Sequence, residues 1–373
     1  MKSILFLSQT DINSDSRILK YIHCAEKKGF KIACFGVKNA YHGLEAKKNL
    51  PTQKLLNIAF LQKAPRHLRN LLVPIIYFFY FIIPSLKLKP NIIHCNDASP
   101  LLLAIACKKL CKSFLIYDAH ELESDKNGIS PWLSKGVLLI EKIAWKKIDY
   151  FVTVSESIKK WYLKKFGYKE SQVIYNSPIS KINKKQTKNY LKNKFCLPEK
   201  AKIFIYCGVI GMGRGLIPFF KYFLNTKCKH YLILLGYWEK MFHKQYSKKI
   251  KNSSNIFFHP AVKHEEVCGI TAAADFGLCL IEKVSLSDYF CMPNKLFEYA
   301  FSGLKIIGSN FPEIKKFLHE TKTGFCFKEK EKPSKIIKKI IKNKQNPNFN
   351  KLRAYSFSEQ SKKISLLYDC IKN

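Results

Sequence analysis

The feature that most constrains this chain is an alternation of short apolar strands with amphipathic helices, which runs through the first half, stops, and begins again. Ile4–Ser8 reads as a buried strand, and Ile18, Ile22 and Ala25 then share one face of a helix expected from about Asp15 to Lys28, with Gly29 as its stop. Further strands are expected at Lys31–Val37, Asn91–Cys95, Phe114–Ala119, Phe151–Ser155 and Val173–Tyr175, with helices opening near Pro100 and covering Leu133–Lys147 and Glu156–Phe166. Between Ser177 and Lys202 the composition turns to Lys and Asn with Pro178 and Pro198, as in an interdomain linker. The second series expects strands at Ile203–Cys207, Tyr231–Leu235, Ile256–His259, Phe276–Ile281, Leu304–Gly308 and Phe325–Phe327. Its helices start near Gly215, Trp238, His264, Pro293 and Phe311, and the tail from Tyr355 to Ile371 reads as one more. Such alternation implies parallel sheets covered on both faces, and 373 residues suffice for two domains of that kind. The expected fold class is α/β with two doubly wound domains, 1–178 and 203–352, joined by 179–202. Ligands of such sheets bind at the carboxyl ends of strands, so a cleft between two sets of strand ends is the expected site.

Charge narrows the partners. Lys and Arg number 65 against 27 Asp and Glu, a net charge of +38. Part of this is a solvated lysine coat, yet the resulting field attracts phosphates on nucleotides, nucleic acids or lipid heads. The 13 cysteines form no C-x-x-C pair and several sit in apolar runs, as in Ile32–Phe35. They read as buried small hydrophobes in a reducing cytoplasm, not as a disulfide frame or zinc site. Met1-Lys2-Ser3 runs straight into a strand without a signal-peptide pattern. One segment stands apart: Leu71–Leu86, apolar and aromatic, interrupted by Pro74 and Pro84, preceded by Arg66, His67 and Arg69 and followed by Lys87 and Lys89. It reads either as a core helix of the first domain or as a helix lying on an anionic membrane through residues 66–89.

Four motifs carry chemistry. Pro293-Asn294-Lys295-Leu296-Phe297-Glu298-Tyr299 opens a helix with proline at its start, and Glu298 sits in apolar company where ribose hydroxyls would satisfy it. Gly208, Gly211, Gly213 and Gly215 surround Arg214 between a strand and a helix, where backbone amides and a guanidinium can hold a diphosphate. The spacing is not the dinucleotide fingerprint, and no acidic residue ends the next strand at Leu234-Leu235-Gly236. Tyr117-Asp118-Ala119-His120-Glu121 places a histidine among carboxylates at a strand end. Asp11, Ser14, Asp15 and Arg17 follow the first strand as hydroxyl-binding groups, with Asp15 also suited to cap a helix.

Taken in order, these residues resemble glycosyltransferase family 4. Asp15-Ser16-Arg17-Ile18 is similar to the family's D-x-R-I, and Tyr117–Leu122 to its Y-D-x-H-E-L. Val152–Ser155 followed by Val173–Pro178 is similar to T-V-S and V-x-x-N-x-P, Pro293–Tyr299 with Gly303 to P-x-K-x-x-E-Y, and Tyr355-Ser356-Phe357 with Tyr368 to Y-S-W and L-Y. The resemblance covers nearly the whole length. It implies the GT-B architecture, two facing Rossmann-like domains with an interdomain cleft, in which 353–373 is a C-terminal helix packing back toward the N-terminal domain. It further implies sugar transfer from a UDP- or GDP-linked donor to a glycan or lipid-linked acceptor in bacterial envelope polysaccharide synthesis, with retention, without a cofactor and without a metal. No D-x-D occurs in the chain.

By that resemblance His120, Arg214 and Glu298 are the catalytic group. Gly208, Gly213, Arg214, Gly236, Pro293, Asn294, Lys295 and Glu298 face the donor; Asp11, Asp15, Arg17, Asp118 and Glu121 face the acceptor. The chain departs from the family at Phe290, where a glutamate often precedes Glu298 by eight positions, at Val209 and Ile210, where a second basic residue is common, and at Ser8-Gln9-Thr10-Asp11, which replaces a glycine-rich loop. A basic nucleic-acid-binding protein and a nicotinamide-dependent dehydrogenase are the alternatives. The first lacks a binding signature, so nucleic acid is not an expected partner, and the second lacks its fingerprint.

Overall fold

A computed structural model describes residues 1–38, 52–61, 64–179, 189–225 and 228–372, without the side chains of Arg66, His67, Asn70 and Lys372. The expected linker falls partly on 180–188, outside the described residues; its remainder contains a short helix, Tyr190–Lys194. The chain divides into two compact units. Unit 1 holds Met1–Asn176 with Ser285–Ser287 and Ser358–Asn373; unit 2 holds Ser177–Val284 and Asp288–Phe357.

Unit 1 is built on seven parallel strands: β1 (Ser3–Leu7), β2 (Lys31–Lys38), β3 (Gln53–Asn57), β4 (Ile92–Asn96), β5 (Phe114–Ala119), β6 (Tyr150–Thr153) and β7 (Ser171–Val173). Their order is β3-β2-β1-β4-β5-β6-β7. The central strands are continuous apolar runs because both faces are covered: Ile4 lies opposite Ile32 on one side and Ile92 on the other, all three buried. Strand β3 is unexpected. Its Gln-Lys-Leu-Leu-Asn buries only Leu56 at the sheet edge, so it carries no run of buried apolar residues for a sequence reading to detect. Right-handed crossovers from β3 to β4, β5 and β6 all travel in one direction. They therefore put the helices Arg66–Leu88, Leu101–Cys111 and Pro131–Trp145 on one face of the sheet. The C-terminal helix, Phe357–Lys372, is tied to this unit by Lys28 and Asp369 at 2.5 Å and by the Tyr368 hydroxyl at 3.0 Å from His94 Nδ1.

The apolar segment forms an unbroken helix. Val73, Tyr77, Phe81 and Ser85, four apart, bury one side. The Tyr77 hydroxyl donates to the Phe35 carbonyl at 2.7 Å and accepts from the Ser8 N–H at 3.2 Å, while Phe81 stacks on Phe35 at 4.8 Å. Leu71, Ile75, Phe79 and Ile83 on the other side are exposed. By length and composition Leu71–Leu88 is the one stretch among the described residues that could cross a membrane, but its buried side belongs to the core of unit 1.

Unit 2 has six parallel strands: β8 (Lys202–Ile210), β9 (His230–Trp238), β10 (Ile256–Pro260), β11 (Phe276–Cys279), β12 (Lys305–Ser309) and β13 (Gly324–Phe327), in the order β10-β9-β8-β11-β12-β13. Phe204 stacks on Phe276 at 4.6 Å at the centre of its core. In each unit the strand order reverses once, between β1 and β4 and between β8 and β11, which opens a crevice beyond the strand ends.

Candidate active site

In unit 1 the ends of β4 and β5 carry a buried ionic cluster. Arg17 grips Asp118 with two parallel bonds, Nε to Oδ2 at 2.9 Å and Nη2 to Oδ1 at 2.8 Å, and its Nη1 donates to the Ile174 carbonyl at 2.6 Å. Both side chains are buried. Burial opposes charge on Asp118, but Arg17 and His120 hold it well below the usual carboxylate range. His120 lies over this pair, with Nδ1 3.6 Å from Asp97 Oδ1 and Nε2 3.3 Å from Asn96 Oδ1 and 3.7 Å from Asp118 Oδ2. Burial disfavours the imidazolium, yet Asp97 and Asp118, with Asp15 beyond, more than offset it and raise His120 to about 9. His120 is therefore a cation at neutral pH and retains 16% side-chain exposure, enough to meet a ligand. Asp97 holds its place through a left-handed backbone, φ +65°, which a short polar residue tolerates, and its N–H donates to the Asp118 carbonyl at 2.9 Å. His94, fully buried, is pushed the other way by desolvation and stays neutral beside Tyr368.

The expected acceptor-facing residues divide. Arg17 and Asp118 are bonded to each other, so the acceptor-facing role expected of them gives way to positioning. Asp15 caps the helix Ser16–Lys27, accepting from the Arg17 and Ile18 amides at 3.0 and 3.2 Å. Asp11 closes a turn by accepting from the Asn13 N–H at 3.1 Å, and Glu121 is exposed. Asn96 and Asp97 escaped the sequence reading. Their signal was position alone: they end β4 beside the switch point, as His120 follows β5.

In unit 2, Glu298 sits on the buried side of the helix Asn294–Phe301, only 7% exposed, with His264 Nδ1 3.8 Å from its Oε1. Pro293 caps that helix at its start and Asn294 is exposed. Lys295 Nζ stands 4.1 Å from the centre of the Tyr206 ring on β8. Lys295 and Glu298 both act on the thiols of Cys207, within β8, and Cys279, at the end of β11. Burial, countered by Lys295 and reinforced by Glu298, pushes Cys279 up to about 12. Arg214 is half-buried and makes no hydrogen bond or ion pair among the described residues. Its neighbours anchor its loop to β11: the Gly213 carbonyl accepts from the Glu282 N–H at 2.9 Å, and Gly215 packs on Leu280.

One expectation about this loop is corrected. Its amides are not all open to an anion, because Glu239 accepts from the Met212 N–H at 2.8 Å and Glu282 from the Gly215 N–H at 3.2 Å. The following helix starts near Gly215, as expected, but spans only Ile217–Phe223, too short to focus a dipole on a phosphate. Gly236 has a packing reason of its own. It pairs with Gly208 across β8 and β9, and a Cβ there would come within 2.0 Å of the Gly208 carbonyl oxygen.

Residues 27–177 match the sequence profile of Glycosyltransferase Family 4. Over that stretch, less than half of the chain, the sequence is similar to glycosyltransferase family 4. An uncharacterized glycosyltransferase of Methanocaldococcus jannaschii is 27% identical over 255 residues, 65% of this chain and 62% of that protein. The chain thus spans somewhat less than two thirds of the length of that curated relative. Family 4 and the observed sheets agree with the solved structures, which show the GT-B fold. Anabaena HepE, solved in complex with UDP, superposes over 99% of this chain and 100% of its own with a TM-score of 0.75 at 13% identity. The lipopolysaccharide outer core galactosyltransferase WaaB superposes over 99% and 100% with a TM-score of 0.62 at 14% identity.

Proposed function

We propose that this chain is a glycosyltransferase that moves a sugar from a nucleotide-sugar to a glycan or lipid-linked acceptor, with retention and without a metal, in envelope polysaccharide synthesis. The observation that supports the reading is that Lys295 and Glu298, on one helix of unit 2, stand by Tyr206 of β8 and Cys279 of β11, the two strands between which the order reverses, while the Gly213 carbonyl beside Arg214 accepts from the Glu282 N–H just after β11. As the glycosidic bond to the diphosphate breaks, negative charge grows on the leaving phosphate while the sugar turns oxocarbenium-like. Arg214 and Lys295 meet that charge where it develops, and such preorganised groups lower the barrier without reorganising. Glu298 accepts from the ribose hydroxyls and fixes the nucleoside, with His264 steadying the carboxylate. His120, already protonated, donates hydrogen bonds to the sugar or acceptor instead of removing a proton. HepE has been solved with UDP and with UDP-glucose, which favours a UDP-linked donor here over a GDP-linked one.

The test is calorimetric titration of UDP- and GDP-sugars into the wild-type protein and Glu298→Ala. The wild type binds a nucleotide-sugar and the variant loses at least tenfold in affinity. Equal affinity in both proteins would refute the donor site, and NMR of the product anomer decides retention.

A further inference from the structure

We infer that the outer face of the three helices Arg66–Leu88, Leu101–Cys111 and Pro131–Trp145 is one continuous docking surface for an anionic lipid bilayer, reaching well beyond the segment 66–89. Topology puts these helices side by side on one face of the unit 1 sheet. Each leaves large apolar side chains outside its core contacts. Phe79 is 70% and Ile83 62% exposed on the first helix, Leu110 64% on the second, and Leu139 58% on the third, beside exposed Trp132 and Ile143. Exposed apolar residues scattered singly need no explanation, but three neighbouring helices showing them on one face form a patch.

Charge says what covers it. Residues 46–96, 98–117 and 126–140 contain no Asp or Glu at all. The only acid on the three helices is Glu141, which is buried and accepts hydrogen bonds from the Tyr117 and Tyr162 hydroxyls. Lys87, Lys89, Lys109, Lys112, Lys135 and Lys142 stand exposed around the patch. A second copy of this chain would bring one strongly basic rim, in which Asp149, an acid beside the helices, is paired with Lys108, against another, and like charges repel. An anionic bilayer instead offers acyl chains to the apolar side chains and phosphates to the lysines. Tyr77, Phe81 and Ser85 remain in the protein core, so the helices lie along the membrane surface and do not cross it.

Co-flotation of the full chain with phosphatidylcholine vesicles, with and without phosphatidylglycerol, tests this. Binding is expected only to the anionic vesicles and should weaken as salt rises. Phe79→Asp with Ile83→Asp should cut vesicle affinity by at least about tenfold, and Leu110→Asp with Leu139→Asp, on the second and third helices, by a similar factor. Lys87→Glu with Lys89→Glu should cost more than tenfold. All six positions are exposed, so melting temperatures should hold. Brominated lipid should quench Trp132 in the unmodified protein, an effect that Trp132→Phe removes. No binding, equal binding to neutral vesicles, or a stable dimer that leaves vesicles unbound overturns the inference. Sensitivity confined to the first helix, or an unquenched Trp132, overturns the three-helix extent.

Discussion

Replacing Asp118 by Asn tests the ionic cluster of unit 1. The change keeps the shape of the side chain and removes its charge. Arg17 then remains buried, still bonded to the Ile174 carbonyl, but without a counter-charge for its guanidinium. Breaking a buried pair by removing one partner costs about 3–5 kcal/mol. In a unit of this size each kcal/mol moves the melting temperature by about 2–4 °C, so unit 1 should melt about 6–20 °C lower. Three of the four tryptophans, Trp132, Trp145 and Trp161, lie in unit 1, which makes thermal unfolding followed by tryptophan fluorescence a direct assay. The double variant Arg17→Met with Asp118→Leu should recover part of the loss, because both charges are gone. The single change Asp118→Asn should also lower the pKa of His120 from about 9 toward its ordinary value near 6.5, which an NMR pH titration reads. A melting temperature within a degree or two of wild type, with His120 still titrating near 9, would refute the account of this cluster.

Other consequences follow from the same geometry. Because His120 is raised above its unfolded value, its contribution to stability is fully present below about pH 6.5 and is lost as pH climbs through about 9; urea melts across that window should slope downward in the wild type and flatten in His120→Gln. Arg214→Ala should lower turnover by about 10²–10³ with melting unchanged, since its guanidinium bonds to nothing in the described protein; turnover within threefold of wild type would remove Arg214 from the donor site. Gly236→Ala should destabilise unit 2 by about 1–3 kcal/mol in denaturant melts, because φ is +146° and the new methyl group meets the Gly208 carbonyl. Tyr77→Phe removes the hydroxyl that joins Ser8 to Phe35 and should cost about 0.5–1.5 kcal/mol by chemical denaturation.

Much of this protein is legible in the order of its residues, because a strand buried on both faces must be apolar throughout and a helix covering it must be apolar on one side. That is why β5 lies where Phe-Leu-Ile-Tyr-Asp-Ala predicts it, and why the doubly wound class follows from alternation alone. Motif chemistry is likewise local: Glu298 among apolar neighbours and His120 among acids are visible one residue at a time. What tertiary structure alone decided are matters of pairing across distance. Arg17 meets Asp118 across 101 positions, which turns two candidate ligands into a structural pair and leaves His120 charged. Glu239 and Glu282 reach the glycine loop from other strand ends and claim amides that local spacing assigned to a phosphate. The helix Arg66–Leu88 has an apolar surface all round, so its sequence could not say which side is core; the partners Phe35 and Ser8 settle it, and the side they leave uncovered exists only once the fold is made. A sequence specifies each residue's chemistry, whereas the sum of charges and contacts around it is a property of distance in space, and only the folded chain defines those distances.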